Sequence, residues 1–147
     1  MRITSRGEYG LRALLDLAQR YGSSVPVTQA DIAARQQIPE AYLNQLLTAL
    51  RKTGLVRSVR GPEGGHMMRR SPAHVTVAEA VIALEGSISP AKGLDRPPAP
   101  GEPLEAEVLR EVWRDVQSAI GQVLESITLD DLCQRKLARE RQIMYYI

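Results

Sequence analysis

The stretch that decides the fold is residues 39–65, which read PEAYLNQLLTALRKTGLVRSVRGPEGG. Four leucines in it recur at spacings of three and four and predict one buried face of a helix: Leu43, Leu46, Leu47 and Leu50. Pro39 suits the first position of that helix, and Gly54 suits the left-handed residue that ends it. The residues after Gly54 alternate between apolar and polar until a glycine-rich turn at 61–65. This pattern predicts a β-hairpin whose return strand covers about 66–70.

Two shorter helical patterns precede this stretch. In the first, apolar residues recur at helical spacing between positions 9 and 21, and Ser5 and Glu8 before them have the spacing of a capping box. The second is predicted to begin at Thr28 and to end near Arg35, one tight turn before the leucine-rich helix. After the hairpin, a further short helix is predicted from Thr76.

Three helices followed by a two-stranded hairpin is the order of a winged helix-turn-helix. In that fold the third helix enters the major groove of DNA with one face while its other face packs on its own domain. The face opposite the leucines offers small and polar groups: Glu40, Ala41, Asn44, Gln45, Thr48, Arg51 and Lys52. Asn and Gln pair well with adenine, whereas Thr48, Arg51 and Lys52 suit phosphates. An ordinary solvated helix face would look similar if this helix stood alone.

The hairpin supplies a second candidate contact. Arg57 and Arg60 precede a turn whose glycines let the backbone approach a duplex, and an arginine at such a tip can enter a narrow minor groove. Arg69 and Arg70 add positive charge on the return strand. Basic hairpins also occur simply as soluble edge strands, so it is the order of the elements that favours DNA binding.

The charge is divided along the chain. The net charge is +2, but residues 1–74 hold 11 Lys and Arg against 5 Asp and Glu, and residues 75–147 hold 8 against 12. The first half is therefore +6 and the second −4. Chance segregation in a short chain is one explanation, and the other is that only the first half meets a polyanion.

The segment 86–103 is the clearest boundary, because its 18 residues include five prolines and three glycines. Beyond it, apolar residues keep helical spacing over about six turns: Leu109, Val112, Trp113, Val116, Ile120, Val123, Leu124 and Ile127. A helix of about 24 residues spans roughly 36 Å, which exceeds what a small domain needs for its own core. We therefore predict a dimerisation helix, the alternative being a helix that packs across its own domain.

The predicted fold is mostly α with a small β-hairpin wing. The expected divisions are a winged helix-turn-helix DNA-binding domain over 1–85 and a Pro/Gly-rich loop over 86–103. Next come the dimerisation helix with a short following helix from Thr128, over 104–132, and a C-terminal tail over 133–147.

Several stretches resemble the BadM/Rrf-type bacterial transcription regulators: MRITSRGEYGLRAL at 1–14, YLNQLL at 42–47, LRKTGLVRSVRGPEGG at 50–65, VTVAEA at 75–80 and WRDV at 113–116. That family includes the iron–sulfur-cluster regulator, the nitric-oxide-sensing repressor and the cysteine-metabolism repressor. The resemblance runs to about residue 132.

What the resemblance implies is a homodimeric winged-helix DNA-binding protein, expected to be a repressor, with a long helix that crosses between protomers. By motif match, Ala41, Asn44 and Gln45 would lie in the major groove and Arg60 in the minor groove. The complete set of expected DNA contacts is Thr28, Ala41, Tyr42, Asn44, Gln45, Thr48, Arg51, Lys52, Arg57, Ser58, Arg60, Gly61 and Gly64.

The sequence departs from the family pattern at the place where many members bind a cluster. Those members carry three cysteines in the loop that corresponds to 86–103, and this loop has no Cys or His. Iron–sulfur clusters need thiolate ligands, and the single cysteine, Cys133, lies outside the loop. Glu8 matches a position at which some relatives recruit a carboxylate ligand, but its predicted capping role accounts for it. We therefore expect no cluster or other cofactor, and regulation by a partner protein or a small molecule.

Two further differences from the family pattern lie at or near the expected DNA contacts. Asn44 replaces the Glu that is common in the family, which would move the preference from cytosine towards adenine. Glu63 replaces a glycine at the wing tip and brings a carboxylate near phosphates.

Other functions find less support. His66, Met67 and Met68 alternate in a strand, which favours packing over a metal or haem site, and a buried structural role is expected for Cys133. The sequence contains no set of Ser, His and Asp residues and no pair of carboxylates at catalytic spacing, so we predict that the protein is not an enzyme. The sequence contains no apolar run of about 18 residues, the length that a membrane span needs. A cytoplasmic protein is expected. The remaining alternative is a winged helix that binds a partner protein without reading DNA.

Overall fold

A computed structural model describes residues 2–146. Its helices and strands follow in this order: α1 Ser5–Ala18, α2 Gln29–Gln36, α3 Glu40–Lys52, β1 Val56–Val59, β2 Gly65–Met68, α4 Val77–Glu85, α5 Leu104–Glu125 and α6 Leu129–Tyr145, with a short 3-10 turn at Pro72–His74 between β2 and α4. The predicted fold class, a mostly helical chain with a small hairpin, is confirmed.

The helix-turn-helix is formed by α2 and α3. The Thr28 hydroxyl accepts a hydrogen bond from the Asp31 amide at 3.1 Å, so it caps α2 as the sequence predicts. Gln37 ends α2 in a left-handed conformation, with φ of 55°, and Pro39 is the residue that precedes α3. The four leucines of α3 are completely buried. They form much of a single core with α1 and the first residues of β1.

The hairpin is antiparallel and pairs Val56 with Met68 and Ser58 with His66. A third segment joins it, because Val27 and His66 exchange backbone hydrogen bonds of 2.9 and 2.7 Å. The base of the wing is therefore fixed to the chain immediately before α2. A side chain at Gly65 would collide with the Val27 carbonyl, so only glycine allows this close approach.

Helix α1 begins differently from the prediction. Its N-cap is Thr4, whose side chain makes no capping bond, and the predicted Ser5–Glu8 capping box is wrong. The Glu85 carboxylate, at the end of α4, instead accepts hydrogen bonds from the Thr4 amide, the Thr4 hydroxyl and the Gly7 amide. An acceptor from a distant helix has taken the role that sequence spacing assigned to a local one.

The proline-rich segment between α4 and α5 folds back onto α5. Leu94 is buried, and its carbonyl accepts two hydrogen bonds from the Arg114 guanidinium at 3.0 and 3.2 Å. Ser89 donates a hydrogen bond to Gln117 of the same helix at 2.9 Å. The segment is therefore a loop that is attached to α5.

Helix α6 corrects the prediction at the C-terminal end. The sequence predicts a short helix followed by a tail over 133–147, but α6 has 17 residues and ends at Tyr145. Thr128 and Asp131 form a reciprocal capping box at its start. Cys133 is buried in the core, as expected, and burial raises the pKa of its thiol. No helix between residues 2 and 146 is long and apolar enough to cross a bilayer.

Candidate nucleic-acid interface

The outer face of α3 carries the central part of the candidate site. Ala41, Asn44 and Gln45 are exposed, while the leucines between and after them are completely buried. The Glu40 carbonyl accepts a hydrogen bond of 3.1 Å from the Gln29 side chain, which fixes the start of α3 against the start of α2. A rigid helix therefore presents one amide-bearing face to solvent, as major-groove readout requires.

A chain of polar contacts joins α3 to both strands of the wing. The Arg51 guanidinium donates to the Thr48 hydroxyl at 3.1 Å and to the Ser58 hydroxyl at 3.3 Å. Ser58 Oγ lies 2.8 Å from His66 Nδ1 on the opposite strand. Three residues from the expected DNA-contacting set, Thr48, Arg51 and Ser58, are thus linked by hydrogen bonds. These hydrogen bonds fix the spacing between α3 and the wing.

His66 belongs to this series of hydrogen bonds, although the sequence pattern does not predict it as a site residue. Burial lowers the pKa of His66, and the positive charge of Arg51 lowers it further. The imidazole is therefore neutral at physiological pH. The hairpin register places it opposite Ser58, and that register is the signal by which the contact can be found.

The tip of the wing is a tight, exposed turn. Arg60 and Gly61 are exposed, and Gly61 has φ of 113°, a conformation that favours glycine. The Gly64 amide donates to the Gly61 carbonyl at 3.0 Å and closes the turn. A Cβ atom at Gly64 would collide with the Val59 carbonyl. Glu63 is exposed at the same tip, so one carboxylate stands beside Arg60 in the surface that the wing offers.

The other basic residues of the hairpin do not share this face. Arg57 pairs with Met67, and strand alternation turns it away from Ser58 and α3. Arg70 lies after the end of β2, forms an ion pair with Glu79, and donates to the His74 carbonyl at 2.7 Å. The prediction that Arg69 and Arg70 add charge on the return strand is therefore wrong, because both residues lie after the end of β2. Arg70 in addition has an acidic partner.

The expected DNA contacts separate by exposure. Most are exposed: Thr28, Ala41, Asn44, Gln45, Arg51, Lys52, Arg57, Ser58, Arg60 and Gly61. Three are half-buried: Tyr42, Thr48 and Gly64. The Tyr42 ring packs edge-on against Tyr9 of α1, with ring centres 5.9 Å apart. The Thr28 hydroxyl oxygen accepts the capping hydrogen bond of α2, so its O–H group is the part that could still donate to a phosphate.

A buried carboxylate lies behind the site. Asp16 of α1 is 1% exposed and accepts two hydrogen bonds from Arg35, at 3.0 and 2.9 Å, and one from Gln36, at 2.9 Å. Arg20 adds an ion pair at 3.2 Å. Burial acts to raise the pKa of Asp16, but the hydrogen bonds and the two arginines outweigh it, and the pKa lies below its ordinary value. Asp16 thus holds the end of α2 against α1.

The comparisons with known proteins identify the family. The model of the Rrf2 family, described as an iron-dependent transcriptional regulator, matches residues 3–135. The chain belongs to the Rrf2 family. The resemblance given by the sequence motifs is therefore confirmed, and this Rrf2 chain is a DNA-binding transcription regulator of the helix-turn-helix type, not an enzyme.

Individual relatives agree with this assignment over most of the chain. The Rrf2 chain is 36% identical to the HTH-type transcriptional regulator CymR of Bacillus subtilis, over 100% of both chains. It is 39% identical to the HTH-type transcriptional regulator IscR of Photorhabdus laumondii, over 90% of this chain and 79% of that protein.

Solved structures show the same fold. The structure of CymR, described as the global cysteine regulator of B. subtilis, superposes with a TM-score of 0.76 at 36% identity, over 92% of this chain and 98% of that one. The T. potens IscR structure gives a TM-score of 0.73 at 39% identity, over 99% and 97%. The predicted winged helix is confirmed by these neighbours.

The predicted dimerisation residues of this Rrf2 chain lie along α5 and just beyond it. Five are between 38% and 57% exposed: Leu109, Val112, Trp113, Val116 and Val123. Ile120, Leu124 and Ile127 are half-buried, and Ile127 lies after the end of α5. Two neighbouring residues that the sequence analysis did not include, Leu104 and Val108, are also exposed. A single chain therefore leaves a long apolar stripe in water.

Proposed function

We propose that this Rrf2 protein is a homodimeric repressor that reads a specific DNA sequence and works without an iron–sulfur cluster. The observation that carries the proposal is that the chain has two distinct surfaces. One is the outer face of α3, which is hydrogen-bonded to the wing through Arg51, and the other is the exposed apolar stripe on α5. The first suits one half-site of DNA. The second calls for another copy of the chain, because an exposed stripe of this length is costly in water.

In this proposal Asn44 and Gln45 contact base edges, and Arg60 enters the minor groove beside them. Both amides are exposed on the outer face of α3, and an amide side chain can form paired hydrogen bonds with adenine. The bonds of Arg51 to Thr48 and Ser58 keep the two reading surfaces at one spacing. Bound at two half-sites, the dimer would occupy about two turns of DNA and block access to a promoter.

Cluster-free action is supported by the residue types present. Thiolates are the ligands that iron–sulfur clusters need, and residues 86–103 contain neither Cys nor His. Cys133 is buried in α6 with a raised pKa, which keeps its thiol protonated and unreactive. The signal in this proposal is a partner protein or a small molecule.

The test is selection of DNA from a random pool by the purified full-length chain. We expect enrichment of a sequence with two related half-sites whose centres lie one helical turn, about 10 base pairs, or a multiple apart. Affinity for that sequence should fall steeply with salt, because phosphate contacts release counterions.

A matched variant controls for nonspecific adhesion. Arg139 is exposed on α6, far along the chain from α3 and the wing, and Arg139→Gln should select the same sequence. If the chain enriches no sequence and leaves a DNA column in the void volume, the proposal is wrong and a protein-binding winged helix is favoured.

A further inference from the structure

The outer face of the wing forms one side of a pocket of about 480 Å³. Its second side is Leu17 of α1 together with Arg20 and Tyr21 in the turn after that helix, and its third is the loop over 22–25 that leads to α2. The Val27–His66 bridge holds that loop against β2. The volume is in the range of about 300–1,000 Å³ that is typical of small-molecule sites.

The charged groups of this pocket are of one sign. Three arginines line it, Arg20, Arg57 and Arg69, and none of its lining residues within the described chain, 2–146, is acidic. Arg20 is paired with Asp16 behind the pocket wall. Arg57 and Arg69 are exposed and form no ion pair with any residue that the structure describes. Two guanidinium groups are therefore available to one anion, and guanidinium binds carboxylate and phosphate in a bidentate manner.

The floor of the pocket is apolar and deformable. Leu17, Val27 and Met68 are buried, and Met67 is half-buried beside them. Methionine side chains are flexible and polarisable, so they adapt to ligands of different shape. His66 also lines the pocket, and it contributes no charge because its pKa is lowered.

We propose that this pocket binds a small organic anion. Its carboxylate or phosphate pairs with Arg57 and Arg69, and its apolar part packs on Met67 and Met68. Strand alternation places Arg57, Met67 and Arg69 on the opposite face of the hairpin from Ser58, so a ligand held by these three residues does not need to leave when α3 meets DNA.

The same position makes the ligand an effector of the wing. Arg57 and Met67 also line the adjoining cavity, which continues to Arg60, Gly61 and the wing tip. An anion held by Arg57 therefore changes the charge and the freedom of the hairpin that carries Arg60. This regulatory consequence rests on the proposed function, whereas the binding itself does not.

The binding is tested on the full-length chain without DNA, by NMR of ¹³C-labelled methionine methyl groups. The probes are 1-naphthoate, 1-naphthyl phosphate and the neutral 1-naphthalenemethanol. We expect saturable shifts of the Met67 and Met68 methyl signals with one or both anionic probes, and no shift of Met144, which is exposed near the end of α6. The two anionic probes distinguish a carboxylate site from a phosphate site.

Arg57→Gln and Arg69→Gln should each weaken the anionic probe by about tenfold, since each removes one charge-assisted contact. Arg139→Gln is the matched control and should bind as the unaltered chain does. The proposal is overturned if neither anion shifts Met67 and Met68, if the neutral probe binds equally well, or if both pocket variants bind unchanged. Because no DNA is present, such a failure is distinct from a failure of the DNA selection.

Discussion

Arg51 shows how one side chain can serve both the fold and the site. Its guanidinium bridges Thr48 on its own helix and Ser58 on the wing, yet the residue remains exposed. A guanidinium has five donors, so the donors that are not used internally can still reach a phosphate. Arginine is suited to this double role, because a lysine at the same position could not make contacts in a fixed plane.

Asn44 is expected to determine one position of the DNA sequence. We predict that Asn44→Ala relaxes the preference at a single base pair in each half-site, with a cost of about 1–3 kcal/mol against the best sequence, because a bidentate contact to adenine is lost. Sequencing of DNA selected by the variant and by the unaltered chain measures this. An identical sequence profile for both would contradict a base-reading role.

Arg60 is expected to strengthen binding from the wing tip. We predict that Arg60→Ala weakens binding to the selected DNA by roughly 1–3 kcal/mol, measured by fluorescence titration. Arg139→Ala on α6 is the control for the loss of one positive charge. If Arg60→Ala and the control both bind like the unaltered chain, the wing assignment is wrong.

Asp16 is expected to stabilise the fold in a pH-dependent way. We predict that Asp16→Asn lowers the free energy of unfolding by about 1–3 kcal/mol at pH 7, because the variant removes a buried, hydrogen-bonded negative charge. The loss stays within this range because Arg20 and Arg35 are partly exposed and remain hydrated. The pKa of Asp16 is lowered in the folded state from its ordinary value of 3.8. Its contribution is therefore present above that value and is lost as pH falls through the folded pKa.

Urea unfolding at pH 7 and near pH 3 tests this expectation. The difference between Asp16→Asn and the unaltered chain should shrink in acid. Asp115→Asn, on the exposed side of α5, should make little difference at either pH. A difference for Asp16→Asn that is as large in acid as at pH 7 would contradict the assignment.

At the scale of whole elements, two helical glycines are expected to respond in opposite directions. Gly10 of α1 lies against Leu84 of α4 so closely that a Cβ atom would overlap the leucine methyl groups. At Gly121 of α5 the nearest atom to a Cβ would be Ile88 Cδ1 at 3.7 Å, an ordinary contact. We predict that Gly10→Ala destabilises the fold by about 1–3 kcal/mol through overpacking.

Gly121→Ala is the matched variant, and it should raise stability by about 0.5–1 kcal/mol, since alanine has the higher helix propensity. Thermal unfolding followed by circular dichroism compares the two. Equal effects of the same sign would show that the close crossing of α1 and α4 does not depend on the glycine.

Elements with local start signals could be predicted from the sequence. Thr28, Thr76 and Thr128 each cap a helix through an amide three residues later, and that spacing is visible in the chain itself. The end of α6 could not be placed, because the residues after Cys133 have no apolar stripe. Its exposed turns are held by local contacts such as the Lys136–Glu140 ion pair at 2.7 Å.

The site could be predicted in part for the same reason. The outer face of α3 follows from helical spacing, which predicts the observed exposure of Asn44 and Gln45. The role of His66 depends on the hairpin register, and the partner of Arg70 depends on how α4 packs. Contacts between segments that are distant in sequence are fixed by packing, and a single sequence does not display them.

At the scale of the whole molecule, the stripe on α5 is expected to control assembly. We predict that the double variant Val112→Glu, Val116→Glu converts the protein to monomers of 16.2 kDa in sedimentation experiments. The two carboxylates would then lie in a surface that is dehydrated when the dimer forms, and burying their charges is unfavourable. Affinity for two-half-site DNA should fall about 100-fold or more, because avidity is lost.

Ser118→Glu is the control on the same helix, since it is exposed but lies on another side of α5. It should sediment and bind DNA as the unaltered chain does. A double variant that still sediments at twice the chain mass would show that α5 is not the dimerisation helix.

The cap that Glu85 places on α1 has a consequence for how the protein is made. The carboxylate accepts a hydrogen bond from the Thr4 amide, and the two residues are separated by 81 positions. During synthesis on the ribosome, the first helix emerges long before its acceptor has been translated. The amides of Thr4 and Gly7 therefore remain hydrogen-bonded to water until nearly the whole DNA-binding unit has left the exit tunnel. One carboxylate at residue 85 thus makes the capping of α1 depend on the synthesis of α4.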